Sequence, residues 1–335
     1  MPPNTNQPLP KSSVQFKKIL YIGAFLVLAA LAVWYGVLKK GEARKFNPQG
    51  TILLTLSNKG SDDVGIYTFD IASKTLAPYF APVDIKSITA SRLPSEATTM
   101  LLATNAVVPT RGSLFQIATY NKGKDLLQPV TKSTVTFKRH PSYSEALQLF
   151  VYGGKDPAST TLSGTASEFN VYTLDHKGVE KKIGQGSIPT LTPDGKSVVV
   201  MRKDGLSMLD LITGKSEVIW PLTAGAARTN QQFTVSQKGT YLAWSNPYEG
   251  VVYVLQVKSW QPFQAVAAPQ KIHTYAFWPH FSPDETYLVL QEVDIVDAIP
   301  VRPRLVIYDL LTQEKKIIQD LDAFVQERMF VSDWY

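Results

Sequence analysis

The sequence contains no cysteine, which excludes disulfides, thiolate metal centres and thiol nucleophiles. Histidine is scarce: His140, His176, His273 and His280 are the only four. None stands in an H-E-x-x-H frame, so a zinc-peptidase helix is excluded. No G-x-S-x-G elbow occurs, which removes a serine hydrolase of the α/β type. Gly195-Lys-Ser197 and Gly214-Lys-Ser216 resemble the end of a phosphate loop, but Thr190 and Leu209 stand where its first glycine belongs. Both segments read as hairpin turns, and no cofactor is expected.

A basic surface is also missing from most of the chain. The net charge of +6 is accounted for by residues 1–45, where Lys11, Lys17, Lys18, Lys39, Lys40, Arg44 and Lys45 face Glu42 alone. The remaining 27 basic and 27 acidic residues cancel. Nucleic acid is therefore not an expected partner. What is present is apolar: 44% of the 335 residues are hydrophobic and 11% aromatic, punctuated by 22 prolines and 20 glycines. A core of many short strands fits this composition, and a disordered chain does not.

One long apolar run stands out. Residues 19–38, ILYIGAFLVLAALAVWYGVL, carry no charge and are flanked by Lys17-Lys18 and Lys39-Lys40. At ~1.5 Å per residue such a helix spans roughly 30 Å, the hydrocarbon thickness of a bilayer. Tyr21, Trp34 and Tyr35 lie near its ends, where amphipathic rings favour the interface. The expected organisation is a disordered cytoplasmic tail at 1–18, a transmembrane signal anchor at 19–38 and a basic linker at 39–45. Ala30-Leu31-Ala32 has the small-x-small form of a cleavage site, which leaves removal of the segment after Ala32 as an alternative.

Beyond residue 46 the sequence repeats itself. Pro189-Thr-Leu-Thr-Pro-Asp-Gly195 precedes an apolar strand at 197–201, and Pro279-His-Phe-Ser-Pro-Asp-Glu285 precedes one at 287–290. Weaker copies occur at 47–56, 93–103, 143–152 and 233–244. With Asn47, Pro94, Tyr143, Thr192, Ser236 and Ser282 as equivalent points, successive spacings are 47, 49, 49, 44 and 46 residues. Each unit continues into a further strand, a tight turn such as Ile212-Thr-Gly214, and a last strand such as 216–220. Four strands per repeat of this length is the arithmetic of a propeller blade. The fold class expected is all-β: a six-bladed β-propeller over 46–335, preceded by one transmembrane helix.

The repeats resemble the TolB-like family of WD-repeat-related propellers. Thr192-Pro-Asp-Gly195 with Asp210-Leu-Ile-Thr-Gly214, and Ser282-Pro-Asp284 with Asp309-Leu-Leu-Thr312, carry the likeness. It implies a fold far more than a function.

The first repeat lacks an innermost strand, and the chain ends on Phe330-Val-Ser-Asp-Trp-Tyr335 where a seventh unit would start. Residues 330–335 are therefore expected to close the ring. Both ends of the propeller then share one face, towards the membrane. The long connections Ser57 to Asp63, Asn105 to Gly112, Gly153 to Glu168 and Asp294 to Arg304 gather on the other, where a protein or peptide partner is expected.

Arg92, His140, Thr190, Thr234, His280 and Asp333 fall near the ends of the innermost strands. They are the candidate ligand-binding positions of the central channel. Two imidazoles and a carboxylate would suit a metal, and an arginine with two histidines an anion. Trp244, Trp260 and Trp278 are expected to pack between blades. The leading expectation is a protein-binding or scaffold module of the cell envelope without enzymatic activity. The alternative is an extracytoplasmic metal-dependent propeller enzyme, lactonase-like or cyclase-like.

Overall fold

The computed structural model describes residues 45–57, 64–81, 88–92, 98–105, 115–132, 136–155, 169–221, 232–246, 249–296, 299–320 and 330–335. The chain divides into two compact units, Met1–Asn47 and Pro48–Tyr335. The tail, the apolar run at 19–38 and all of the linker except Lys45 lie outside the described residues. Among the described residues there is no helix, hence none long and apolar enough to cross a membrane.

The second unit is built of six antiparallel sheets. The strands are β1 (Thr51–Ser57), β2 (Val64–Asp70) and β3 (Thr75–Phe80); then β4 (Ile88–Arg92), β5 (Thr99–Thr104), β6 (Gln116–Asn121) and β7 (Leu126–Pro129). The third sheet holds β8 (Thr136–Ser144), β9 (Leu149–Lys155), β10 (Asn170–Asp175) and β11 (Glu180–Gln185). The fourth holds β12 (Ser187–Leu191), β13 (Ser197–Arg202), β14 (Gly205–Asp210) and β15 (Ser216–Pro221). The fifth holds β16 (Phe233–Val235), β17 (Tyr241–Asn246), β18 (Val251–Trp260), β19 (Phe263–Ala265) and β20 (Gln270–His273). The sixth holds β21 (Ala276–Phe281), β22 (Tyr287–Val296), β23 (Ile299–Asp309) and β24 (Lys315–Asp320). The last strand, β25 (Phe330–Trp334), returns to β1 and completes the first sheet in the order β25-β1-β2-β3. The innermost strands β25, β4, β8, β12, β16 and β21 touch one another in that order, and β21 touches β25 again. The sheets are thus six blades around a closed ring.

The closure lies at the residues the sequence nominates. Leu53 pairs with Asp333 and Leu54 with Val331. The Thr51 N–H donates to the Tyr335 carbonyl at 2.6 Å, and the Tyr335 N–H to the Thr51 carbonyl at 3.0 Å. The Trp334 indole N–H reaches the Gln49 carbonyl at 2.9 Å. Both ends of the propeller therefore lie on one face, since β25 finishes where β1 begins.

The second strand of each blade is buried on both sides, which explains why its sequence runs apolar without alternation. Tyr152 on β9 packs on Leu101, Ala103 and Ile117 of the second blade. Its neighbour Val151, pointing the other way, packs on Val198 and Val200 of the fourth. Outer strands read differently: β11 is EKKIGQ and β24 is KKIIQD, with exposed lysines along the free edge. Charged edges of this kind discourage pairing with another chain.

The signature residues turn out to be turn chemistry. Asp210 Oδ1 accepts from the backbone N–H groups of Ile212 and Thr213 and from the Thr213 hydroxyl, at 3.0, 2.6 and 2.8 Å. Asp309 caps Leu311 and Thr312 in the same way, and Asp70 caps Ser73. In the other signature turn Gly195 has φ +66°, and Glu285 adopts φ +62° at the equivalent place. The Thr213 N–H and hydroxyl hold the Asp210 carboxyl below its usual range, with help from Ile212 and Lys215 and against desolvation. A lowered carboxyl stabilises the fold above its unfolded value of ~4 and ceases to do so as the pH falls through the lower folded value. Asp210→Asn is thus expected to lose about 1 kcal/mol at neutral pH and to flatten the decline in stability below ~pH 4. Urea melts across that range, compared with the parent chain, check this.

Two elements depart from the repeat. In the fifth blade the outer strand is split: β19 pairs with the end of β18 and β20 with its beginning. In the sixth, the segment Asp294 to Arg304 expected as a long loop is a β-hairpin, with Asp294 opposite Val301 and Val296 opposite Ile299. Its apolar alternation Val293, Ile295, Ile299, Val301 favours strand. At its base Arg304 pairs with Asp294 and, at 3.5 Å, with Glu292, which also takes Lys315 at 2.7 Å. The loop residues 58–63, 106–112 and 156–168 lie outside the described residues.

Candidate functional site: a plugged channel with a polar ring

All six candidate residues lie on innermost strands, but register separates them. Thr190, Thr234, His280 and Asp333 pair with Val199, Ala243, Val289 and Leu53, which occupy one level of the second strands. Their counterparts in the second and third blades are Ser91, opposite Leu101, and Ser142, opposite Val151. Arg92 is one residue further along, opposite Met100. His140 is two residues short, at the level of Ile188 and Trp278. The ring at this level is Ser91, Ser142, Thr190, Thr234, His280 and Asp333.

A shared bulge explains the displacement of His140. His140-Pro141, Ile188-Pro189 and Trp278-Pro279 are equivalent dipeptides, and the ladder shifts register at each. The residue before proline takes φ +49°, +56° and +51° respectively, a left-handed conformation that costs roughly 1–2 kcal/mol for a residue with a Cβ. Proline fits here because an innermost strand has one edge without a neighbouring strand to receive its N–H. Ser91 Oγ donates to the Pro141 carbonyl at 2.6 Å, and the His140 N–H to Thr89 Oγ1 at 2.9 Å.

Two of these bulge residues meet. His140 comes from the third blade and Trp278 from the sixth, opposite each other in the ring, and their rings stack at 6.0 Å with planes 28° apart. Phe330 sits edge-on to Trp278 at 4.7 Å. The Trp278 N–H is held by Gln232 Oε1 at 3.1 Å. Trp244 and Trp260 pack between the fourth and fifth blades as expected, but Trp278 does not pack between blades: the bulge turns it onto the axis, where it closes the channel.

The electrostatics follow from this closure. Burial pushes the His140 imidazole down to about 3, reinforced by the Arg139 guanidinium beside it. Burial lowers His280 to about 4, against the pull of Asp333 and of the Val331 carbonyl that accepts from the ring. Both imidazoles are neutral at physiological pH. Asp333 Oδ1 accepts from the Trp334 N–H at 2.8 Å. Among the described residues no group of three or more histidines and carboxylates is placed to hold a metal ion.

Three polar groups went unnoticed in the sequence. Lys138 is fully buried and lowered to about 8 by that burial, opposed by Glu180. Lys155, also fully buried, lies 5.7 Å and 5.0 Å from the ring centres of Phe137 and Phe169. Arg139 adjoins the plug. The x-Pro dipeptides repeated at 140, 188 and 278 were the available signal for Arg139; nothing in the sequence marks a buried lysine.

No protein-family model and no curated protein matches the sequence. Solved structures do match in fold. TolB from Acinetobacter baumannii is 15% identical with a TM-score of 0.58, over 85% of this chain and 66% of that one. This chain thus spans just under two thirds of that protein's length. A chain of the nidogen/laminin complex is 9% identical with a TM-score of 0.55, over 84% of this chain and 97% of that one. The periplasmic gluconolactonase PpgL from Pseudomonas aeruginosa is 12% identical with a TM-score of 0.51, over 81% and 83%. Identities this low carry a fold and not an activity. The second unit is accordingly a six-bladed β-propeller similar in fold both to TolB and, at a lower TM-score, to a gluconolactonase.

Proposed function

We propose that this chain is a membrane-anchored, extracytoplasmic protein-binding propeller of the cell envelope, with its partner on the face opposite the chain ends. The supporting observation is the mutual pairing of Thr51 and Tyr335. It gathers both ends of the propeller on one face, so an anchor at 19–38 tethers that face and leaves the other free. The occluded axis and the neutral imidazoles fit a binding surface better than a hydrolytic site, which needs access for substrate and water. A propeller fold found in the nidogen/laminin complex is consistent with such use.

Photocrosslinking in cells tests the assignment of faces. Lys203, Glu249 and Tyr275 are exposed where strands leave for the free face, and Ala72 and Thr213 are exposed on turns of the other. A photoreactive residue at each of the first three is expected to yield adducts to one common protein, and at the last two none. Adducts confined to Ala72 and Thr213 would reverse the reading. Protease treatment of intact and opened cells checks the sidedness: the propeller should be cut only from outside the cytoplasmic compartment.

A further inference from the structure

Among the described residues, Arg139 is an arginine without a counterion. Its Nε is sealed from solvent and makes no hydrogen bond, as is true of the Ser142 hydroxyl. The Arg139 side chain makes no hydrogen bond or ion pair with any described residue. The rest of its side chain is partly exposed. Burial lowers its guanidinium and no neighbouring carboxylate raises it again.

Cross-strand pairing shows where the two side chains point. Residues directly opposite in an antiparallel ladder share a face of the sheet. Arg139 is opposite Gly153, and Ser142 opposite Val151. Val151 packs against Val198 and Val200 of the fourth blade, and a Cβ on Gly153 would lie 3.3 Å from Pro189 of β12. Arg139 and Ser142 therefore both face β12, along the seam between the third and fourth blades at the wall of the channel. The acid of the polar ring, Asp333, belongs to the first blade and sits beside His280 of the sixth, away from this seam. On β8, which runs towards the face of the chain ends, Arg139 precedes His140. It thus lies on the free-face side of the plug, with its side chain partly exposed.

A desolvated cation without a partner is unfavourable, and a group that pairs with it recovers part of that penalty. A guanidinium fork matches a planar carboxylate in two parallel hydrogen bonds. We propose that Arg139 forms a carboxylate-binding site in the channel mouth that receives an acidic side chain of the partner polypeptide. This deepens the protein-binding reading and rests on it for the source of the carboxylate.

Thermal unfolding of the full-length chain, followed by tryptophan fluorescence at constant ionic strength, tests the site. The probes are a blocked Gly-Glu-Gly tripeptide, succinate and inorganic phosphate. At ~10 mM tripeptide, well above a weak Kd, the midpoint is expected to rise by ~2–4 °C. Arg139→Met should melt no lower than the parent chain without ligand, because it removes an unpaired buried charge, and should show no shift with tripeptide. A midpoint for Arg139→Met lower by more than ~5 °C would give Arg139 a structural role and overturn the proposal, as would a shift that survives the substitution. A response to phosphate alone overturns the carboxylate assignment, and one to succinate alone the peptide source. Failure of the crosslinking pattern with these shifts intact would refute the partner face and leave the carboxylate site standing.

Discussion

A chain ending at residue 329 is expected to lose the cooperative unfolding of its propeller and to be digested rapidly by protease at temperatures the full chain survives. β25 supplies the innermost strand of the first blade from the far end of the sequence. Without it the inner edge of β1 is unpaired, its backbone donors and acceptors facing the channel and the neighbouring blades, and such an edge invites aggregation. Single substitutions grade the effect. Trp334 is 2% exposed and packs its ring against Tyr287 at 6.5 Å, so Trp334→Ala is expected to remove ~3–5 kcal/mol. That is a large part of the ~5–15 kcal/mol by which a domain is stable. Gly50 carries φ +104°, and a Cβ there would lie 2.4 Å from the Tyr335 carbonyl oxygen. Gly50→Ala should therefore weaken the same seam, since the added Cβ would also lie 3.1 Å from Trp334 Nε1. Differential calorimetry of these variants measures it, and an unchanged melting profile after truncation at 329 would refute the closed ring.

The second large effect belongs to Trp244, which is 1% exposed in the core between the fourth and fifth blades. Its ring lies 5.1 Å from Tyr253 and 5.5 Å from Trp220, and Val199, Leu206 and Leu242 complete its surroundings. Trp244→Ala is expected to cost about 3–5 kcal/mol, the transfer of the indole plus the cavity it leaves. Trp244→Phe should cost much less, within ~1.5 kcal/mol, because the indole N–H has no acceptor among the described residues and its removal relieves an unmet hydrogen bond. Chemical denaturation of the pair distinguishes packing from polarity. Equal losses would mean that the N–H is satisfied after all.

The blade count was legible because several blades reuse the same turn chemistry. Asp210 and Asp309 recur since a carboxylate capping two backbone N–H groups is a local solution, complete within a few residues. The extension of β22 and β23 was read as a long connection; Pro300 and Pro303 do not prevent it. They are tolerated where the ladder shifts register, between Glu292 and Asp294, and where a strand edge needs no donor. The ring was half legible. Thr190, Thr234, His280 and Asp333 follow from repeat alignment, while Arg92 and His140 were misplaced because bulges insert residues that a constant spacing does not count.

The sequence by itself determined the number of blades, the closing strand and the sharing of one face by both chain ends, since these depend on local turns and on the order of strands. The tertiary structure decided that Trp278 meets His140 on the axis and that Arg139 stands on the channel wall without a carboxylate among the described residues. Side chains from blades far apart in sequence become neighbours only through ring geometry. Their desolvation is a property of that ring, which no local pattern of residues encodes.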